Sequence, residues 1–144
     1  MTDLAEHAGL WPLEHPRTIR LALRTAEFSD DAEVLDSLAR SGVTSEVMRK
    51  IAHNPATAER TLEYLVELDE RWMTYPVTRR RDVSAGFVDR IAQRLTDRNA
   101  IYHASSAPCA DETTLRYLAG HPSAPAAAAE TVDARLGDTI HPAA

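Results

Sequence analysis

Nine residues able to cap a helix N-terminus, Thr18, Asp30, Thr44, Thr57, Asp69, Ser84, Asp97, Asp111 and Ser123, follow one another at intervals of 12 to 15 residues. Each carries a side-chain oxygen that can accept a hydrogen bond from a backbone N–H left open in the first helical turn. Such a pitch leaves room for roughly ten helical residues and a short turn, and helices of that length are marginal when isolated in water. A chain punctuated in this way must stack its helices against one another in order to fold.

Between these starts the apolar residues recur at spacings of three and four: Val34, Leu35 and Leu38; Val47, Met48 and Ile51; Leu62, Leu65 and Val66; Phe87, Val88, Ile91 and Leu95; Leu115 and Leu118. That period places each set on one face of a helix. Pro55, Pro108 and Pro122 lack the N–H that would extend a helix and push the preceding residue out of the α region, so helices should end near His53, Ala107 and His121. Gly42 reads as a further stop, because glycine takes the left-handed conformation at low cost. No segment alternates with the two-residue period of a half-buried strand, and no Asn-Gly or Asp-Gly turn occurs. The expected fold class is all-α.

The grammar repeats. In "IAHNPATAERTLEYL", residues 51–65, and "SSAPCADETTLRYL", which ends at Leu118, Pro55, Leu62, Tyr64 and Leu65 correspond to Pro108, Leu115, Tyr117 and Leu118. Similarity at a short period marks stacked repeats, each completing the core of the next. The stretch "VMRKIAHNPATAERTLEYLVELD", residues 47–69, resembles one unit of the variant leucine-rich repeat family through Val47, Ile51, Ala52, Asn54, Pro55, Thr57, Leu62 and Leu65. It departs from that pattern at Ala58, where the family often has proline. Partial matches at residues 15–23, 107–122 and 121–132 extend the resemblance over about half the chain, and HEAT-like helical repeats share its outline. The resemblance implies a right-handed α-solenoid-like array of about nine short helices, used as a binding surface. It supplies no catalytic residue, and the cysteine-rich leader of a cluster-bearing relative has no counterpart. The expected organisation is an N-terminal arm or cap at residues 1–13, one helical-repeat domain at 14–136 and a C-terminal tail at 137–144.

Composition narrows the function classes. With 44% hydrophobic residues among 144, the chain can bury a core, and a net charge of -6 argues against a general attraction to nucleic acid. One cysteine, Cys109, excludes an internal disulfide and any cysteine-built metal site. The first fifteen residues carry three acids and no Lys or Arg, unlike a signal peptide, and no apolar run reaches the length of a membrane span. A cytoplasmic location without membrane contact is expected.

The histidines have no metal-binding pattern. His15, His53, His121 and His141 each lie close to a proline, no pair has the His-x-x-x-His spacing, and a ring in the last helical turn suits the negative end of the helix dipole. "HNP" at 53–55 therefore reads as a helix terminator. Cys109 precedes a helix start, a setting that can favour a thiolate, yet Asp111 and Glu112 follow at once and oppose it. The corresponding residue in the other copy is Ala56, which makes Cys109 a small turn residue. "SS" at 105–106 lacks the Gly-x-Ser-x-Gly setting, and no phosphate-cradling glycine loop exists. Neither a catalytic residue nor a cofactor is expected.

Charge is segregated instead. Residues 1–70 carry a net -7, residues 71–98 a net +4 and residues 99–144 a net -3. "RWMTYPVTRRRDV", residues 71–83, supplies Arg79, Arg80 and Arg81 beside Trp72 and Tyr75. Arg90 and Arg94 stand four apart on the next helix, opposite its apolar face. These seven residues form the candidate partner-binding set, because guanidinium forks suit carboxylates and phosphates and aromatic side chains anchor interfaces. Two readings stay open for residues 69–83, a helix or a long irregular loop, since Pro76 breaks the pattern. Trp11 in "LWPLEH" caps the first repeat, or else exposes an arm through which a homodimer could form. The sequence thus points to a non-enzymatic scaffold whose partner is a protein with an acidic segment. The alternative is a nucleic-acid-binding helical repeat using the arginines of residues 79–98.

Overall fold

The structure, a computed structural model, describes residues 16–140. Among the described residues there are nine helices and no strand: α1 (Pro16–Phe28), α2 (Ala32–Ala39), α3 (Ser45–His53), α4 (Glu59–Leu68), α5 (Glu70–Thr78), α6 (Ala85–Arg94), α7 (Arg98–Ala104), α8 (Glu112–Ala119) and α9 (Ala126–Ile140). The all-α expectation is met. The chain divides into two compact units, with the boundary between Leu65 and Val66 inside α4. The expected N-terminal arm, Trp11, His15 and His141 lie outside the described residues. The expected tail from residue 137 begins inside α9, where the alanine-rich start "AAAAET" favours helix strongly.

Several helix starts follow the capping rule directly. Asp31 accepts from the N–H groups of Glu33 and Val34, Thr44 from Val47, Ser84 from Phe87, Asp97 from Asn99 and Ala100, and Asp111 from Thr114. At Asp111 the hydrogen bond from the Thr114 backbone N–H holds the carboxyl below the ordinary aspartate value. Other expected starts are displaced. Asp31 takes the role expected of Asp30. Helix α1 already begins at Pro16, and proline fits a first helical turn because its missing N–H has no partner there. Thr18 is instead buried inside that helix. The Thr57 hydroxyl donates to the carbonyl of Ile51 (2.7 Å), closing the end of α3 rather than opening α4, which starts at Glu59. Asp69 occupies the cap position of α5 without a side-chain cap hydrogen bond. α9 starts at Ala126, three residues beyond Ser123.

The stops behave similarly. α3 ends at His53, Asn54 turns extended before Pro55, and "HNP" terminates a helix as its residues require. α7 and α8 end at Ala104 and Ala119, somewhat earlier than Pro108 and Pro122 alone would demand. Gly42 does adopt the left-handed conformation (φ 78°), but it lies in the turn beyond α2, whose last residue is Ala39.

Within the first unit α1 packs on α3, and α2 packs on both. Leu35, Leu38, Val47, Ile51, Leu62 and Leu65 are fully or almost fully buried, so the periodic apolar faces are the core. Two polar side chains tie these helices together. The Asn54 amide donates to the carbonyls of Ala26 (2.9 Å) and Ser29 (2.8 Å) at the end of α1, while its oxygen accepts from the N–H of Ala56 (2.8 Å). The Asp36 carboxylate accepts from the Thr61 hydroxyl (2.6 Å) and from Arg40 Nε (3.1 Å). Arg60 bonds Glu33 across the same two helices.

The second unit repeats this construction. α5 packs on α7, α6 on α7 and α8, and α9 on α7 and α8. Its core runs through Met73, Val77, Phe87, Val88, Ile91, Leu95, Ile101 and Leu118, with Leu115, Val132 and Leu136 closing the α8–α9 end. The Thr114 hydroxyl donates to Asp89 (3.0 Å) as Thr61 does to Asp36, and both partners stand 53 residues further along the chain. The Glu70 carboxylate accepts from the N–H groups of Thr96 and Asp97, the latter at 2.8 Å, fixing the entry to α7. Arg135 donates to the carbonyl of Ser105 (2.8 Å), holding α9 on α7.

Two predictions follow from the polar ties. Asn54→Ala removes the hydrogen bonds to Ala26 and Ser29, the first buried and the second part-buried, and the one accepted from Ala56, so it should lower stability by about 2–3 kcal/mol. Urea unfolding of both proteins measures this, and an unchanged midpoint would mean that the Asn54 amide does not hold α1. At Asp36, burial raises the carboxyl pKa. The Thr61 and Arg40 hydrogen bonds and the charges of Arg40 and Arg60 outweigh that and hold it below the ordinary value. A depressed folded pKa stabilises fully above the unfolded value, about 4 for aspartate, and the contribution disappears as pH falls through the folded value. The stability gap between the wild type and Asp36→Asn should therefore be full at neutral pH and shrink below about pH 4. A gap independent of pH would remove Asp36 from this role.

Candidate functional site

Large apolar side chains left in water are the main anomaly on this surface, since most of those available are buried. Trp72 is 63% exposed, Tyr75 45% and Tyr102 39%. Trp72 and Tyr75 stand on α5 and Tyr102 on α7, two helices packed on each other in the second unit. α5 settles the question left open for residues 69–83: it is helical to Thr78 despite Pro76, and bends follow at residues 81–83. Met73, Thr74, Pro76, Val77 and Thr78 are all buried, so core contact keeps the helix intact. The Thr74 and Thr78 hydroxyls donate to the carbonyls of Glu70 (2.6 Å) and Thr74 (2.7 Å), which lets two polar side chains enter the core. Proline at 76 has no N–H to give the carbonyl of Trp72 one turn earlier.

The aromatic side chains are held in a cationic setting. The Arg79 guanidinium lies 5.3 Å from the centroid of the Tyr75 ring, and Arg71 lies 5.6 Å from Trp72. The ring of half-buried His103 meets Tyr75 edge-on at 4.9 Å and Tyr102 at 5.6 Å, so it sits in contact with both. Such contacts restrict the orientation of the rings. Among the described residues Arg71, Arg79, Arg81 and Arg98 are exposed and in no ion pair.

The seven residues singled out in the sequence are not equivalent in the structure. Trp72, Tyr75 and Arg79 share the exposed face of α5. Arg80 turns inward: its side chain is only 9% exposed, Nε and Nη2 grip Asp82 at 2.9 and 2.7 Å, and its carbonyl accepts from the Cys109 thiol (3.5 Å). Cys109, half-buried, is thereby part of the packing between two turns. Arg81 is exposed in the bend that follows. Arg90 and Arg94 stand on α6, the first with its guanidinium 5.8 Å from the Phe87 ring and the second paired with Glu67.

Residues outside that set complete the surface. Arg71 and Tyr75 on α5 are matched by Arg98 and Tyr102 on α7, each pair four apart and the two pairs 27 residues apart. The burial pattern shares this offset: Met73, Thr74, Val77 and Thr78 are buried, as are Ala100, Ile101, Ala104 and Ser105. The signal was present in the sequence as a repeated Arg-x-x-x-Tyr, hidden because "RRR" draws attention to the wrong end of α5. Among the described residues no group of three or more His, Cys, Asp or Glu is placed to hold a metal ion, and no helix is long and apolar enough to cross a membrane. No family model, curated protein or solved structure matches the chain.

Neighbouring arginines should therefore respond differently to truncation. Arg80→Ala loses a packed side chain and a bidentate pair and should cost about 1 kcal/mol or more, whereas Arg79→Ala should stay within about 0.5 kcal/mol of wild type. Urea midpoints of the two variants test the assignment. Equal midpoints would show that Arg80 is not integral to the fold.

Proposed function

We propose that the protein is a non-enzymatic interaction scaffold, a helical-repeat module that engages a protein partner through the exposed face of α5 and α7. The observation that carries this reading is the exposure of Trp72 together with Tyr75 and Tyr102 on two packed helices. An indole in water forfeits a large hydrophobic contribution unless a partner covers it, and tryptophan, tyrosine and arginine are the residues that most often dominate binding energy. The recurring Asp–Thr hydrogen bond and the 27-residue match of α5 to α7 support an α-solenoid-like construction in the manner of variant leucine-rich or HEAT-like repeats. In such folds the exposed helix faces are the usual contact surfaces.

A nucleic acid is the competing ligand, since arginines beside exposed aromatics can also track a phosphate backbone. The net charge of -6 opposes a polyanion.

A photoreactive amino acid at position 72 of the full chain tests the reading in extracts of the native host. It should yield a discrete crosslinked protein that disappears when Tyr75 and Tyr102 are changed to Ala, with the circular dichroism of the variant unchanged. Absence of any crosslinked protein, or crosslinks only to nucleic acid, would overturn it.

A further inference from the structure

The repeat geometry of this face specifies more than a generic protein partner. Packed helices generally lie about 8–10 Å apart, and the rings of Tyr75 on α5 and Tyr102 on α7 both meet His103, at 4.9 and 5.6 Å, which keeps the two within about one such spacing of each other. Arg71 and Arg98 repeat at the same offset one turn before each tyrosine. A ligand crossing both helices must therefore offer an apolar group and a carboxylate, and offer them again about 9 Å later.

The three regular peptide conformations differ in how they meet this demand. An α-helix rises about 5.4 Å per turn and would have to skip turns. In a β-strand alternate side chains face opposite ways, so residues three apart, about 10 Å, point to opposite sides. A polyproline-II helix has three residues per turn and about 3.1 Å rise, so every third side chain returns to the same face after about 9.3 Å. That falls within the usual separation of packed helices. Its apolar ring surfaces also suit an aromatic-lined face, at little cost in ordering. Among the described residues of this unit, Arg71, Arg79, Arg81 and Arg98 are exposed and in no ion pair, and they set the charge of the ligand.

We infer that the α5–α7 face binds a polyproline-II segment bearing carboxylates, its ring side chains resting against Trp72, Tyr75 and Tyr102 and its acids meeting Arg71 and Arg98. This rests on the reading of α5 and α7 as a protein-binding face and names the chemistry of what binds there.

Fluorescence anisotropy with the full chain and labelled synthetic peptides provides the test. A repeated Glu-Pro-Pro peptide should bind, while Lys-Pro-Pro of equal length and a helix-forming Glu-Ala-Ala repeat should bind at least about tenfold more weakly. Two double variants, Trp72→Ala with Tyr102→Ala and Arg71→Gln with Arg98→Gln, should each weaken Glu-Pro-Pro binding by about tenfold or more. All four positions are exposed, so the variants should keep the wild-type circular dichroism. No binding of Glu-Pro-Pro at about 1 mM, equal binding of the three peptides, or indifference to both variants would overturn the proposal. Tighter binding of oligothymidylate than of Glu-Pro-Pro would overturn it in favour of single-stranded nucleic acid. A crosslinked protein at position 72 combined with failure of the peptide would leave the binding face standing and remove only this ligand chemistry.

Discussion

The structure depends on the inability of its helices to stand alone. Most are 7 to 10 residues long, below the length at which a peptide helix persists in water. Their stability comes from burial of one broad flank against a neighbour. That neighbour is the helix two places along for α1 and α3, α5 and α7, and α6 and α8, and the next helix in the chain for α2 and α3 and for α8 and α9. Short rods packed in this order expose a different flank of every helix to water.

Apolar flanks fix distance but not register, because a leucine can slide along a neighbouring groove at little cost. Directional polar ties supply the register. Asn54 satisfies both the end of α1 and the turn after α3, and Glu70 satisfies the turn before α7. The Asp–Thr hydrogen bond occurs in both units, but its surroundings differ. Asp36 is flanked by Arg40 and Arg60, whereas the residues 53 places beyond those arginines are Gln93 and Thr113. The hydrogen bond is thus the common element, and the ion pairs are local additions of modest worth at exposed positions.

Much of this was legible from sequence. The helix class and the buried faces of α2, α3, α4, α6 and α8 follow from periodicity, because burial of a face leaves a direct trace at spacings of three and four, whereas Met73, Val77, Ile101, Val132 and Leu136 stood in no recurring set. Where the sequence misled, a capping-type residue had been used for something else. Thr57 closes the preceding helix, Thr18 is buried, and Pro76 sits inside a helix that core contact sustains. Asn54 was visible as part of a terminator and of the repeat-like pattern, but not as a tie between helices. Its bonds to Ala26 and Ser29 span more than twenty residues, and no local pattern encodes a partner so far away.

The candidate surface shows the same division between local and distant information. Composition located the positive segment, but counting charges treats Arg79, Arg80 and Arg81 alike. The fold separates them, because successive residues at a helix end point in different directions: one lies by Tyr75, one is drawn inward to Asp82 and one remains in water. Trp72 and Tyr75 were ambiguous for a related reason, since an apolar ring in a helical pattern is most often core. What decides between core and contact is the position of Met73, Thr74 and Val77, which already fill the buried flank of α5. With that flank occupied, the aromatic pair is left on the outside, and Tyr102 joins it because α7 repeats the register of α5. Exposure here follows from the packing, so no polar substitute is excluded at these positions by the fold itself.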